Sequence, residues 1–173
     1  QHAMFIIKAP EFVMRQWYKH VVGIETTSNS SAKDHAWNEI SGRYVEYDEF
    51  YQPEIYRKQS DDNKQASEGQ FDGDEHNLVN TNWRQAHAMS LVAYKQMIKI
   101  GVAKEQARCI LPLTLYTEVY WTASFQAVMN FIELRNEKTA QIEIQEYAKS
   151  LLDSMSEAFP KTTKIWSEAH GWL

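Results

Sequence analysis

Apolar and polar positions follow two rhythms along the chain, and the changes between them predict its elements. Met4 to Ile7 has the apolar, β-branched character of a short buried strand, and Pro10 sits where a first helical turn tolerates a missing amide hydrogen. Phe12, Val13, Gln16 and Trp17 then share one helical face, predicting a short helix from about Glu11 to His20. From Gly23 to Asp34 the residues turn small and polar, with Thr26 to Ser31 an unbroken hydroxyl and amide run, which reads as an exposed loop. A second polar stretch, Gln59 to Asp74, lacks apolar periodicity and reads as a mobile loop. Between Glu75 and Ile100, Leu78, Trp83, Ala86, Met89, Val92, Ala93 and Met97 recur at helical spacing, and Gly101 suits the end of that helix. Leu115 to Thr122 is aromatic and β-branched enough for a strand, Phe125 to Arg135 and Ala140 to Phe159 return to helical spacing, and Pro160 marks the next break. Met and aromatic positions on these helices are read as core. No repeat or heptad array is present, so the pattern predicts an α+β fold, a small sheet beside several long helices, in one domain over residues 1–173.

Composition narrows what such a fold does. With 43% hydrophobic residues the chain furnishes a core without disulfides or metal. The formal charge of -5 argues against a broadly basic nucleic-acid surface, while leaving room for a local basic pocket that takes one phosphorylated ligand. Cys109 is the only cysteine, and its neighbours Ile110, Leu111 and Leu113 predict a buried thiol that packs. No signal stretch opens the chain and no apolar run approaches the ~20 residues that span a bilayer, so a cytoplasmic location is expected. The run Ala3 to Ile7 already reads as a strand inside a fold, and a segment upstream of Gln1 is expected.

The densest polar segment runs from Asn38 through Glu39, Ile40, Ser41, Gly42 and Arg43 to Tyr44. Ser41 offers a hydroxyl, Gly42 lets a backbone approach a ligand, and Arg43 supplies a guanidinium fork suited to phosphate. Those residues alone leave two readings open: an anion cradle, or a Ser-Gly turn with a solvated arginine. Arg108 and Arg135 stand beside apolar runs, where a permanent cation needs a carboxylate, a phosphate or a polarised carbonyl, and a structural ion pair is the commoner explanation. Gln126 and Asn130, four positions apart on one predicted helix, present amides either to a heterocycle or to the core. The histidines follow no HExxH pattern, so no metal site is expected, and GxSxG, GxGxxG and Walker loops are missing.

The order Arg15-Gln16-Trp17, Lys19-His20, then Asn38-Glu39-Ile40-Ser41-Gly42-Arg43-Tyr44 resembles the signature of flavin-dependent thymidylate synthases, whose central element is Arg-His-Arg followed by Asn-Glu-x-Ser-x-Arg-Tyr. The likeness continues through Ala107 to Leu113, Leu115-Tyr116-Thr117, Tyr120-Trp121-Thr122, Met129-Asn130-Phe131, Leu134-Arg135 and Ala140 to Ile144. The resemblance implies methylation of dUMP to dTMP, with FAD as cofactor, methylenetetrahydrofolate as carbon donor and NADPH as reductant. It implies dUMP contacts from Gln16, Lys19, Glu39, Ser41, Gly42, Arg43, Tyr44, Leu134 and, reaching across from a neighbouring subunit, Arg108. Arg135 would face the uracil ring and stabilise charge developing at N3 and O2, so that no covalent enzyme nucleophile is required. FAD contacts would come from Lys19, His20, Val21, Glu39, Ser124, Phe125, Gln126 and Asn130. A homotetramer with shared active sites is implied as well.

Several positions depart from the family pattern. Its Arg-His-Arg is Lys19-His20-Val21 here, which loses a guanidinium fork that lysine does not imitate. The spacer between His20 and Asn38 is longer than the family's, and Lys33 or His35 within it are candidates to replace the lost contact. Ser124, Gln126 and Thr139 stand where the family more often has Asn, Arg and His. These departures motivate the alternative of a homologue that binds dUMP with impaired turnover.

Overall fold

The computed structural model describes residues 1–20, 23–24, 32–33, 35–64 and 66–171, with residues 23, 24, 32, 33 and 35 described by their backbone alone. Thr26 to Ser31 of the hydroxyl-rich run therefore lie outside the described residues, as does Val21. The chain divides into two compact units, one comprising Met4–Lys19 and Ala36–Thr122, the other Gln1–Ala3, His20–His35 and Ala123–Leu173.

In the first unit a three-stranded sheet has the order β1 (His2–Pro10), β7 (Tyr116–Ser124), β4 (His35–Glu39), so β7 takes the centre. Alternation decides which face of β7 is inward: Thr117, Val119 and Trp121 are buried while Tyr120 is exposed. β1 alternates too, burying Ile7 and Ala9 and turning Met4 and Ile6 out. Helix α1 (Glu11–Trp17) follows β1 directly and buries Val13, Met14 and Trp17, with the Trp17 indole edge-on to Trp121 at 5.5 Å. Pro10 precedes α1 without a side-chain acceptor, so carbonyls from elsewhere serve the first amides: Glu11 N–H donates to Leu115 O at 2.9 Å and Phe12 N–H to Leu113 O at 3.0 Å. These bonds tie α1 to the segment before β7. The helix ends at Trp17, so His20 lies beyond it and not within it as the periodicity suggests.

The polar stretch expected to be a loop contains an antiparallel hairpin, β5 (Arg57–Gln59) with β6 (Ser67–Gln70). Its pairing gives no apolar alternation because β6 is exposed throughout, and backbone bonds are aided by Gln59 Nε2, which donates to Ala66 O at 2.9 Å. Helix α2 (Gly73–Lys99) closes in a Schellman cap: Gly101 at φ +91 donates to Ile98 O and Val102 to Met97 O. The core reading of α2 needs correction. Tyr94 is its buried residue, whereas Leu78, Met89 and Val92 are 63%, 73% and 55% exposed. Helical spacing identifies an apolar stripe but not what covers it. Cys109 is also corrected. It sits in a 3-10 turn (Arg108–Ile110) after α3 (Lys104–Ala107), where Ala107 takes the inward position and Cys109 is exposed, its thiol donating to Glu105 O at 3.4 Å. Sequence neighbours on a tight turn do not share a face.

The second unit is mostly helical. Ser124 caps α4 (Phe125–Arg135), its hydroxyl accepting from Ala127 N–H at 3.1 Å, and Ala127, Val128, Met129, Phe131 and Ile132 are buried. Helix α5 (Ile142–Ala158) buries Ile144, Ala148, Leu151 and Met155, a regular stripe packed on α4. Pro160 does not end helical structure; it opens α6 (Pro160–Ala169), because proline at the first helical position gives up an amide that has no partner there anyway. Buried Thr163 donates its hydroxyl to Met155 O at 3.0 Å and closes the α5–α6 corner. The described ends of the Ser-rich segment pair as a two-residue antiparallel ladder, β2 (Gly23–Ile24) with β3 (Ala32–Lys33). The α+β reading holds, and among the described residues no helix is long and apolar enough to cross a membrane.

Candidate functional site

In the first unit the end of β4, the following turn, α1 and the Arg108–Leu115 segment enclose a cavity of about 540 Å³. Its wall carries Glu39, Ser41, Tyr47 and Arg108 together with Glu11 and Arg15 from α1. The turn after β4 is built by Ser41, whose carbonyl accepts from Tyr44 N–H at 2.9 Å and Val45 N–H at 3.2 Å, and whose hydroxyl faces Arg43 N–H at 3.4 Å. Gly42 at its apex is buried, and close approach requires glycine there: a Cβ would lie 2.4 Å from Tyr47 Cε2 and 3.0 Å from Arg108 Cδ. The Tyr47 hydroxyl in turn donates to Ile40 O at 3.3 Å.

The charges of this cavity are mixed. Thr117, itself buried, donates its hydroxyl to Glu39 Oε1 at 2.9 Å and fixes that carboxylate at the strand end. Burial, followed by repulsion from Glu39, raises the pKa of Glu11 above the usual carboxylate value, and Arg15 and Arg108 partly offset that rise. Burial and then Glu39 likewise raise the Tyr47 phenol. Arg43 and Arg108 are exposed and form no ion pair among the described residues, and Arg43 leans over the Tyr44 ring at 5.8 Å. Two guanidiniums beside a Ser-Gly turn, neither neutralised by a carboxylate, suit an anionic ligand.

Of the residues expected to bind dUMP, Glu39, Ser41, Gly42 and Arg108 meet here, with Arg43 and Tyr44 on the same turn. Arg108 stands against Gly42 of its own chain. Gln16 is folded back on its helix, its amide 3.5 Å from Phe12 O, and Lys19 is exposed; neither lines the cavity. Sequence reasoning gives no site role to Glu11 or Tyr47, and Arg15 enters there only as the opening residue of the family-like motif. The Glu11–Arg15 spacing of four on α1 was the available signal, since it puts both on one face.

The second unit holds the other group. Arg135 ends α4, and its Nε donates to His20 Nε2 at 2.9 Å. The His20 ring stands edge-on to Phe131 with centroids 5.1 Å apart. Burial foremost, and then the Arg135 charge, push the His20 pKa down to about 4, so the imidazole is neutral at physiological pH. Burial also lowers the Arg135 pKa from its ordinary value. On the first turns of α4, Ser124 spends its oxygen on the cap while exposed Gln126 and half-buried Asn130 face outward one turn apart. Phe125 packs edge-on to Phe159 at 6.0 Å, and Leu134 is 55% exposed. Thr139, at a position of family divergence, donates to Glu137 at 3.4 Å. Among the described residues no group of three His, Cys, Asp or Glu side chains could hold a metal ion.

A sequence model of the thymidylate synthase complementing protein family matches residues 1–161. The flavin-dependent thymidylate synthase of Thermus thermophilus is 41% identical over 165 residues, which are 95% of this chain and 56% of that protein. That of Thermosipho africanus is 36% identical over 163 residues, 91% of this chain and 64% of the relative. The chain thus spans less than two thirds of the length of these relatives. Among solved structures, the UMP/dUMP methylase PolB of Streptomyces cacaoi bound with 5-Br UMP superposes with a TM-score of 0.81 at 24% identity, over 96% of this chain and 73% of that one, a likeness of fold. Matched by the family model from residue 1 to 161 and 41% identical to a flavin-dependent thymidylate synthase along almost its whole length, the chain belongs to the thymidylate synthase complementing protein family.

Proposed function

We propose that residues 1–173 are one catalytic module that methylates dUMP to dTMP, taking its carbon from methylenetetrahydrofolate and its reducing equivalents from NADPH. The observation that carries this reading is the juxtaposition of the Ser41-Gly42 turn with Arg108, whose Cδ lies 3.0 Å from the position of a Gly42 Cβ, in a cavity that also exposes Glu39. An ester phosphate fits the exposed guanidiniums of Arg43 and Arg108 and the Ser41 hydroxyl, while Glu39 is left to accept from a sugar hydroxyl or a heterocycle N–H. Gln16, Lys19, Tyr44 and Leu134 complete the nucleotide contacts in this reading.

Arg135 is the residue assigned to activation. Its charge, half-buried beside a neutral histidine, would lower the cost of negative charge at uracil N3 and O2, and the N3 proton would leave to solvent. No enzyme nucleophile is needed for that step. FAD, when bound, would supply the hydride that completes the methyl group. The donor set on α4 suits a flavin: the amides of exposed Gln126 and half-buried Asn130 lie one turn apart for the edge of a heterocycle. Lys19, His20, Val21, Glu39 and Ser124 would add contacts.

The exposed apolar stripe of α2, Leu78, Met89 and Val92, supports assembly of copies, and a cytoplasmic homotetramer with shared active sites completes the reading. Exposed Lys19 in place of an arginine favours a second reading, a dUMP binder impaired in turnover. Two observations on the purified protein separate them. Yellow protein whose thermal midpoint rises with dUMP, an effect removed by Arg43→Ala, supports the synthase; colourless protein that FAD leaves colourless while dUMP still stabilises it supports the second.

A further inference from the structure

We infer that His20 is a positioning residue for Arg135: as the neutral imidazole tautomer protonated on Nδ1, it accepts the Arg135 Nε hydrogen and so fixes which edge of the guanidinium is presented to the nucleotide. This rests on the proposed role of Arg135 at the uracil ring. The nitrogen of arginine that faces His20 always carries a hydrogen, so His20 Nε2, at 2.9 Å, must offer its lone pair. In neutral histidine the other ring nitrogen then holds the proton.

The consequence for Arg135 is geometric. Of its five N–H groups one is committed, and the edge formed by the two terminal nitrogens remains whole, with two parallel hydrogens for a pair of adjacent acceptors. Uracil offers such a pair, O2 and N3, only after the N3 proton has gone. Without the His20 bond the guanidinium is free to turn about its stem and present its Nε edge instead. The surroundings keep the imidazole uncharged: α4 presents the Arg135 cation and the Phe131 ring to it, and among the described residues no carboxylate pairs with His20. Protonation would remove the lone pair and set two cations against each other. Nδ1–H is then the one polar group His20 retains for a ligand, and it can only donate. Any contact with a flavin would therefore go to a carbonyl oxygen or an unprotonated ring nitrogen.

Two measurements on the full protein test this. The first is nitrogen-15 NMR of the six imidazoles, with the His20 signals assigned by their loss in His20→Gln. The expected result is an Nδ1–H tautomer that stays neutral down to about pH 4; an Nε2–H tautomer, or titration at the ordinary 6.5, overturns the proposal. The second is dUMP affinity by calorimetry. His20→Phe keeps the ring against Phe131 but has no acceptor and should weaken binding about tenfold, whereas His20→Gln, whose carbonyl can accept, should stay within about threefold. In an Arg135→Ala background His20→Phe should add nothing. Equal losses for Phe and Gln, or an undiminished effect without Arg135, overturn it. A wild-type protein that binds no dUMP instead refutes the proposed substrate, and the imidazole signals then decide the His20–Arg135 contact alone.

Discussion

Gly42 concentrates the case for the nucleotide cradle in one missing methyl group. Alanine there would drive Cβ to 2.4 Å from the Tyr47 ring, and that ring cannot swing away without breaking its bond to Ile40 O. Gly42→Ala should cost about 1–3 kcal/mol of stability by overpacking and, by displacing Arg108, weaken dUMP binding at least about tenfold. Urea unfolding and calorimetry read the two effects separately. His20 yields a pH prediction. Its folded pKa, about 4, lies below the ordinary 6.5, so the folded state binds fewer protons between those values. Its contribution to stability is complete above about pH 6.5 and disappears as pH falls through about 4. Urea midpoints measured across that window should fall more steeply for wild type than for His20→Gln, and identical slopes would contradict this. Residue types marked Ser41, Gly42, Arg43, Arg108 and Arg135 as candidates for an anionic ligand, and the structure brings Ser41, Gly42 and Arg108 together. The His20–Arg135 pair was not legible in the sequence, because the partners stand 115 positions apart and only folding joins them.

Among the elements, α4 shows how far local signals reach. Helical spacing predicts Phe125 to Arg135, and the structure returns the same bounds, with Ser124 as the cap that spacing does not reveal. Because the Ser124 hydroxyl satisfies the Ala127 amide, Ser124→Ala should destabilise the protein by about 1 kcal/mol, measurable by urea or thermal unfolding. An unchanged midpoint would mean the cap is replaceable by water. The elements that escaped have physical reasons. Helix α6 hides behind Pro160, which serves as a first helical residue as readily as a terminator. The β5–β6 hairpin has no buried face and therefore no period-two signature.

At the scale of the whole molecule, α2 is the unsettled surface: 27 residues long, with Leu78, Met89 and Val92 in solvent and Tyr94 its buried side chain. A stripe of this kind is usually covered. If copies of the chain cover it, Met89→Glu with Val92→Lys should lower the mass seen by light scattering while leaving the circular dichroism spectrum unchanged. A mass already monomeric in wild type, or unaltered by both charges, would remove α2 from the assembly.

The most direct test of the proposed chemistry is release of tritium from 5-tritiated dUMP by the full-length protein with FAD, NADPH and methylenetetrahydrofolate. Release that requires both flavin and folate, and is lost with Arg135→Ala, is the expected result. No release from a protein that still binds dUMP would contradict the synthase and leave a nucleotide-binding relative without turnover.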